Sequence, residues 1–140
     1  MEEVIAVSAC LLGFNCKYDG GNNLDPKVVD YVRNKTVIPI CPESFGGMPT
    51  PRIPSEIVTP GVLVMNQKGE DVTAFFERGK KVTLELLKKH RCTQAILKDG
   101  SPSCGHSFVY DGTFSQTKIA GRGETANHLL AGGIRIVEVK

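Results

Sequence analysis

Apolar residues occur in short runs that alternate with amphipathic stretches and with segments rich in glycine, asparagine and proline. Four runs are rich in β-branched residues and are short, as is typical of buried strands. These predicted strands cover residues 4–7, 36–40, 94–98 and 134–139. Apolar residues at helical spacing predict helices over 73–90 and 124–131. Asp25 as N-cap and Pro26 at the first helical position predict the start of a further helix.

Strands that alternate with helices favour an α/β fold with a parallel sheet. We therefore expect a Rossmann-like, doubly wound and mostly parallel sheet of about four strands, with helices on both faces. Short hairpin insertions are predicted at 61–72 and around Asp111-Gly112. Residues 41–60 are expected to be irregular, because their prolines and glycines exclude a regular helix or a central strand.

Length and composition are those of an ordinary globular protein, and we expect one domain over residues 1–140. The net charge of +2 gives no reason to expect a nucleic-acid or membrane partner. No apolar run reaches the roughly 18 residues of a membrane span. The start of the chain has no features of a secretory signal, so we expect the protein in the cytoplasm. The odd number of cysteines, five, does not suggest a disulfide framework there.

Three cysteines each follow a predicted strand: Cys10, Cys41 and Cys104. Because parallel strands end at the same edge of a sheet, we expect the three thiols to emerge together where open α/β sheets build their sites. Thiolates bind both zinc and iron–sulfur clusters, so the ligand type alone leaves both open. The spacing matches neither a zinc knuckle nor a ferredoxin motif. The alternative is three unrelated core thiols.

Two further cysteines have less defined positions. Cys16 lies on the loop after Cys10, where it is an accessory fourth ligand, a sulfur acceptor or an inert loop residue. Cys92 lies between a predicted helix and a strand and is expected to be a buried apolar residue.

Candidate acid–base and binding residues lie beside these cysteines. Glu43, two residues after Cys41, is a candidate base at the rim of the same crevice, although a surface glutamate is the simpler interpretation. Ser101 and Ser103 precede Cys104 and either cap a turn or hydrogen-bond a substrate. Arg52 lies near prolines that stiffen the backbone, and it either binds the substrate or is a solvated charge.

Several short motifs follow one another along the chain in an order that is typical of one protein family. The chain resembles the 2-thiouracil desulfurase family through the following landmarks: Ser-Ala-Cys10-Leu-Leu-Gly, Lys17-Tyr-Asp-Gly, Cys41-Pro-Glu, Gly46-Gly-Met, Pro51-Arg-Ile-Pro-Ser-Glu and Ser101-Pro-Ser-Cys104-Gly. The resemblance implies a 4Fe-4S cluster held by Cys10, Cys41 and Cys104, with one iron left open. It also implies desulfuration of a small thiolated pyrimidine such as 2-thiouracil, without net electron transfer. Glu43 would then deprotonate water, and Ser101 would orient the substrate or move a proton.

Two other functions use the same residues. The first is a metal-binding module, with zinc or an iron–sulfur cluster, that has no turnover. The second is a metal-free thiol sulfurtransferase that uses Cys10 or Cys16. Protein handled in air is expected to lose a cluster or to take up zinc in its place.

Overall fold

The computed structural model describes residues 3–140. A short 3-10 helix, Ala9–Leu12, follows the first strand. The strands and α-helices are, in chain order, β1 (Val4–Ser8), α1 (Pro26–Tyr31), β2 (Thr36–Ile40), α2 (Pro42–Phe45), β3 (Ser55–Thr59), β4 (Leu63–Asn66), α3 (Thr73–Lys89), β5 (Gln94–Ile96), β6 (Phe108–Tyr110), β7 (Lys118–Ala120), α4 (Glu124–Ala131) and β8 (Arg135–Ile136).

The central sheet has four parallel strands in the order β2-β1-β5-β8. In its register, Ser8 at the end of β1 lies opposite Ile40 at the end of β2, and Val7 pairs with Ile96 at the end of β5. Three strands therefore end within one residue of one another. The expected α/β fold with a parallel sheet of about four strands is confirmed.

Both faces of the sheet are covered by helices. Ile5 and Val7 point to the face on which Val28 of α1 is buried. Ala6 points to the opposite face and packs in one core with Leu87 of α3 and Leu129 of α4. The alternation along β1 thus divides the core into two layers, as expected for a strand buried on both faces. No helix among residues 3–140 is long and apolar enough to cross a membrane.

The predicted helices are confirmed with small changes of bounds. Asp25 caps α1 by accepting a hydrogen bond from the backbone N–H of Lys27, with Pro26 at the first helical position. The helix α3 ends one residue before the predicted limit, and α4 has the predicted bounds. Cys92 is buried, as expected, with 1% of its surface exposed.

The prediction that residues 41–60 lack regular structure is wrong. Pro42 begins the short helix α2, because proline fits the first turn of a helix, where its missing N–H leaves no bond unmade. Residues Ser55–Thr59 form β3, which pairs only with β4 and so belongs to no central sheet. The prolines of this segment lie outside β3.

Both predicted insertions contain hairpins. In the first, however, β4 does not pair with the strand expected inside residues 61–72. The strand β4 pairs with the preceding β3, and the segment after it contributes only an isolated bridge between Met65 and Asp71. The second hairpin joins β6 and β7 through a loop over 111–117, which is longer than a tight Asp-Gly turn. The last strand is shortened to Arg135–Ile136, with one further bond from the N–H of Val137 to the carbonyl of Ala95.

Two glycines allow α2 to lie directly against the backbone of α3. A Cβ atom at Gly46 would be 2.0 Å from the carbonyl oxygen of Phe75, and one at Gly79 would be 2.1 Å from the carbonyl oxygen of Pro42. Neither position has room for a side chain. This backbone approach holds the turn that carries Cys41 and Glu43 against a long helix.

We expect Gly79→Ala to destabilise the protein. Alanine is favoured over glycine inside a helix by about 1 kcal/mol, but the new methyl group meets backbone atoms that have no freedom to rotate away. We expect a net loss of about 1–3 kcal/mol in the free energy of unfolding, measured from urea midpoints. The control is Lys81→Ala on the exposed side of α3, expected to change stability by less than about 0.5 kcal/mol. A more stable Gly79→Ala protein would contradict this packing.

Candidate active site

The three cysteines predicted to converge all lie at the carboxyl edge of the parallel sheet. Cys10 lies in the 3-10 helix that follows β1, Cys41 directly follows β2 as the N-cap residue of α2, and Cys104 lies on the loop after β5. All three line one cavity of about 600 Å³. Cys16, Glu43, Arg52, Ser101 and Ser103 line the same cavity, so the structure brings every residue of the predicted site together.

The loop of Cys104 is fixed at both of its ends. At its start, the Asp99 carboxylate accepts backbone hydrogen bonds from Gly100, His106, Ser107 and Phe108 and a further bond from the Ser107 hydroxyl. Near Cys104, the carbonyl of Ser103 accepts the N–H groups of Thr125 and Ala126 in the first turn of α4. These bonds satisfy helix amides that otherwise have no partner. The loop is therefore an ordered part of the site.

Cys104 is buried, whereas the thiols of Cys10, Cys16 and Cys41 are half-buried. Burial, together with the charges of Cys10 and Glu43, raises the pKa of Cys104 to about 12, although hydrogen bonds with Ser8 and Ser103 oppose the shift. Burial, followed by the charges of Cys41 and Cys10, raises the pKa of Cys16 to about 12. Burial and the charge of Cys41 also raise the pKa of Cys10. Clustered thiols of this kind gain from a bound cation, which compensates the mutual repulsion of the thiolates.

Glu43 and the two serines form a continuous hydrogen-bonded chain. The hydroxyl of Ser103 donates to Glu43 Oε2 at 2.9 Å and lies 2.9 Å from Ser101 Oγ. Ser101 Oγ accepts the backbone N–H groups of Ser103 and Cys104 at 3.1 and 3.0 Å. Ser103 Oγ also lies 3.9 Å from Cys104 Sγ. The chain places a carboxylate and two hydroxyls beside one of the three thiols.

The donor set consists of soft sulfur ligands on three separate segments. Thiolates are the ligands of iron–sulfur clusters and of structural zinc. Within the described residues 3–140, no group of three or more His, Cys, Asp or Glu side chains is arranged to hold a metal ion. The three thiols instead surround a cavity. In type and number, the donors fit a cluster with three cysteine ligands.

Comparisons with known proteins agree with this geometry. The family model described as 2-thiouracil desulfurase matches residues 5–140. The chain belongs to the 2-thiouracil desulfurase family. Another similar chain is the uncharacterized protein YbbK of Bacillus subtilis (strain 168), which is 41% identical over 142 residues, or 96% of this chain and 94% of the relative.

A solved structure also resembles this family member closely. It is that of the 4Fe-4S-dependent thiouracil desulfidase TudS, with 38% sequence identity and a TM-score of 0.86. The match covers 97% of this chain and 89% of the solved one. The resemblance drawn from the sequence motifs is thereby confirmed.

In this family member, Arg52 contacts the protein through all three guanidinium nitrogens. Its Nε donates to Glu43 Oε1 at 3.1 Å, and the two side chains are only 6% and 13% exposed. Nη2 donates to the carbonyl of Cys16 at 3.0 Å, and Nη1 contacts the carbonyl of Pro49 and the hydroxyl of Thr50. The Cys41 thiol contacts the same Cys16 carbonyl at 3.8 Å. Arg52 thus links the loop of Cys16 to the carboxylate of Glu43.

Three further residues that shape this site were not predicted from the sequence. Ser8 accepts the backbone N–H of Lys98 and hydrogen-bonds the Cys104 thiol, and its place in the Ser-Ala-Cys motif was the available signal. Asn23 hydrogen-bonds the Cys10 thiol. Asp99 precedes a glycine, which is a turn signal, but its bonds to residues 106–108 depend on the folded loop.

We expect Asp99 to make the free energy of unfolding depend on pH in the acid range. Burial raises the pKa of Asp99, but its hydrogen bonds from Ser107, His106 and Phe108 outweigh this effect and hold the pKa far below the ordinary value of 3.8. The contribution of the Asp99 carboxylate to stability is therefore complete above pH 3.8. It is lost as the pH falls through that value toward the lower pKa of the folded state. Asp99→Asn is expected to lose about 1–3 kcal/mol at pH 7 and to show a smaller further loss at pH 3.5 than the wild type.

The measurement is the urea midpoint at the two pH values. Asp30→Asn is the control, because the Asp30 carboxylate pairs with Arg33 on the exposed surface. An Asp99→Asn protein with the same acid sensitivity as the wild type would argue against this role of the carboxylate.

Proposed function

We propose that this protein is a 4Fe-4S-dependent desulfidase that hydrolyses the C=S group of a thiolated pyrimidine such as 2-thiouracil. The observation that carries the proposal is the convergence of three strand-end thiols on the cavity that also contains the chain of Glu43, Ser103 and Ser101. Family membership and the likeness to the thiouracil desulfidase TudS support the same reaction.

Cys10, Cys41 and Cys104 are the residues that would hold the cluster, because their thiols line one cavity and lie on segments that follow three neighbouring strands of the sheet. When bound, a cluster with three cysteine ligands supplies an iron with no protein ligand, a Lewis acid with high affinity for sulfur. The described residues offer one further thiol in this cavity, Cys16. We treat Cys16 as an accessory residue.

The overall reaction exchanges sulfur for oxygen without electron transfer. Water adds to the thiocarbonyl carbon, the C–S bond breaks, and the products are the oxo-pyrimidine and hydrogen sulfide. The two protons of water end on the sulfide. The protein must therefore take a proton from water and return it to the leaving sulfur, which is general acid–base work.

Glu43 is our candidate for the base. Its carboxylate faces the cavity, and one oxygen is fixed by Arg52 while the other accepts from Ser103. Ser103 and Ser101 extend this chain away from Glu43, so that a proton has a hydrogen-bonded path between the carboxylate and the substrate. Ser101 remains our candidate for orienting the substrate, and Ser103 is the link between the two residues.

Arg52 acts on the reaction through Glu43 in this proposal. Every guanidinium nitrogen already contacts a protein atom, and a salt bridge that is nearly buried fixes the carboxylate direction more firmly than an exposed pair. Direct contact of Arg52 with the substrate stays a prediction. The substrate is expected to be a free small molecule rather than a nucleic acid, and the reaction is expected to take place in the cytoplasm.

We expect Glu43→Gln to abolish most of the sulfide release while leaving the cluster in place. Glutamine keeps the size and hydrogen-bonding ability of the side chain but accepts no proton at neutral pH. Loss of a general base lowers kcat by about 100-fold or more. The measurement is anaerobic sulfide release from 2-thiouracil, normalised to iron per chain.

Glu85→Gln on the exposed surface of α3 is the matched control and should retain wild-type kcat. Wild-type kcat in Glu43→Gln would rule out Glu43 as the base. Cluster-loaded wild-type protein that releases no sulfide from any thiolated pyrimidine would overturn the proposed function itself.

A further inference from the structure

Residues of the hairpin of β6 and β7, which the reaction described above does not use, line part of the cavity. Four aromatic residues line the cavity, and three of them belong to this hairpin: Tyr18, Phe108, Tyr110 and Phe114. A planar heterocycle in such a cavity gains from stacking on an aromatic face. Such stacking requires an aromatic side chain whose ring face is not occupied by another residue.

Phe108 and Tyr110 are already engaged. Their rings pack edge to face with centroids 6.1 Å apart, and Lys118 Nζ lies 4.7 Å from the centroid of Phe108. The ring of Phe108 also packs against Gly100, where a Cβ atom would lie 2.9 Å from it. Lys17 Nζ lies 5.7 Å from the ring of Tyr18, which is 42% exposed. Among the cavity-lining rings of residues 3–140, Phe114 makes no ring–ring or cation contact.

The backbone around Phe114 is held in an uncommon conformation. Phe114 has φ = 58° and Gln116 has φ = 62°, a left-handed region that is unfavourable for residues other than glycine. Both side chains line the cavity. Strained residues persist only where their surroundings fix them, and they concentrate at binding sites.

Glu56, on strand β3 of the other hairpin, holds this backbone in place. Its Oε1 accepts the backbone N–H of Gly112 at 2.9 Å and that of Phe114 at 3.2 Å. Gly112 lies so close to β3 that a Cβ atom there would be 2.6 Å from the carbonyl oxygen of Ile57. The loop over 111–117 is therefore docked onto β3, which sets the position of Phe114 at the cavity.

We propose that Phe114 is the residue on which the ring of the thiolated base stacks, and that Glu56 is the positioning residue that holds it there. This proposal rests on the proposed desulfidase function and adds a substrate class to it, cyclic aromatic thiocarbonyl compounds in preference to acyclic ones. The amide of Gln116 makes no hydrogen bond within the described residues and lies at the same cavity, where it is available to the edge of the ring.

Kinetics with two substrates test the proposal. Phe114→Ala is expected to raise KM for 2-thiouracil about tenfold, since stacking is lost, with little change in kcat. The acyclic substrate thiourea has no ring to stack, so its kcat/KM is expected to stay within about twofold of wild type. Glu56→Ala should raise KM for 2-thiouracil in the same way, whereas Glu56→Gln keeps an acceptor oxygen and should restore it. An equal loss with thiourea would overturn the proposal.

A binding measurement gives a second readout that needs no turnover. The chain has no tryptophan, so Phe114→Trp introduces a single tryptophan at the cavity, whose emission is separated from that of the three tyrosines by excitation at long wavelength. Titration with uracil, which lacks the sulfur, is expected to quench its emission saturably. Phe14→Trp, at an exposed residue outside the cavity lining, is the control and should show no saturable quenching. Absence of saturable quenching in Phe114→Trp would also overturn the proposal.

The two experiments separate this proposal from the proposed function. If cluster-loaded wild-type protein releases no sulfide, the desulfidase function fails, and the fluorescence titration still decides whether a base stacks at Phe114. If sulfide is released normally and Phe114→Ala leaves KM unchanged, the stacking proposal fails alone.

Discussion

The nearly level ends of three parallel strands are the constraint on which the site depends. Because β1, β2 and β5 are paired in register, the residues that follow Ser8, Ile40 and Ile96 emerge at one edge of the sheet. Cysteines separated by tens of residues in the chain thus line one cavity without any short ligand motif. The register is in turn specified by burial on both faces, since a slip of one residue would move Ile5 and Val7 to the other core.

A second set of contacts places the carboxylate of Glu43 beside the cysteine cavity. The backbone contact between Gly46 and α3 places α2, and with it Glu43, beside the loop of Cys104. Ser103 then connects Glu43 to that loop. Ser103 and Arg52 together orient the carboxylate. Residues of the two hairpins, which lie outside the central sheet, also line the cavity.

Much of the fold and the composition of the site were predictable from the sequence. The strand runs, the Asp25-Pro26 helix start and the position of Cys10, Cys41 and Cys104 after strands are local features, so they can be identified without knowledge of the tertiary structure. The helix at Pro42 was not predictable from its local sequence, because proline both breaks helices and fits their first turn. The pairing of β3 with β4, the Arg52–Glu43 salt bridge and the docking of Phe114 by Glu56 depend on contacts between distant segments, which no local pattern encodes.

Coordination of one 4Fe-4S cluster by three cysteines is tested most directly by the amount of iron and acid-labile sulfide per chain after anaerobic reconstitution. We expect near-stoichiometric cluster loading in the wild type. We also expect loading to fail in Cys10→Ala, Cys41→Ala and Cys104→Ala and to be retained in Cys92→Ala, whose thiol is buried away from the cavity. Wild-type protein that takes up no iron, or that binds zinc alone, would show that the three cysteines do not hold such a cluster.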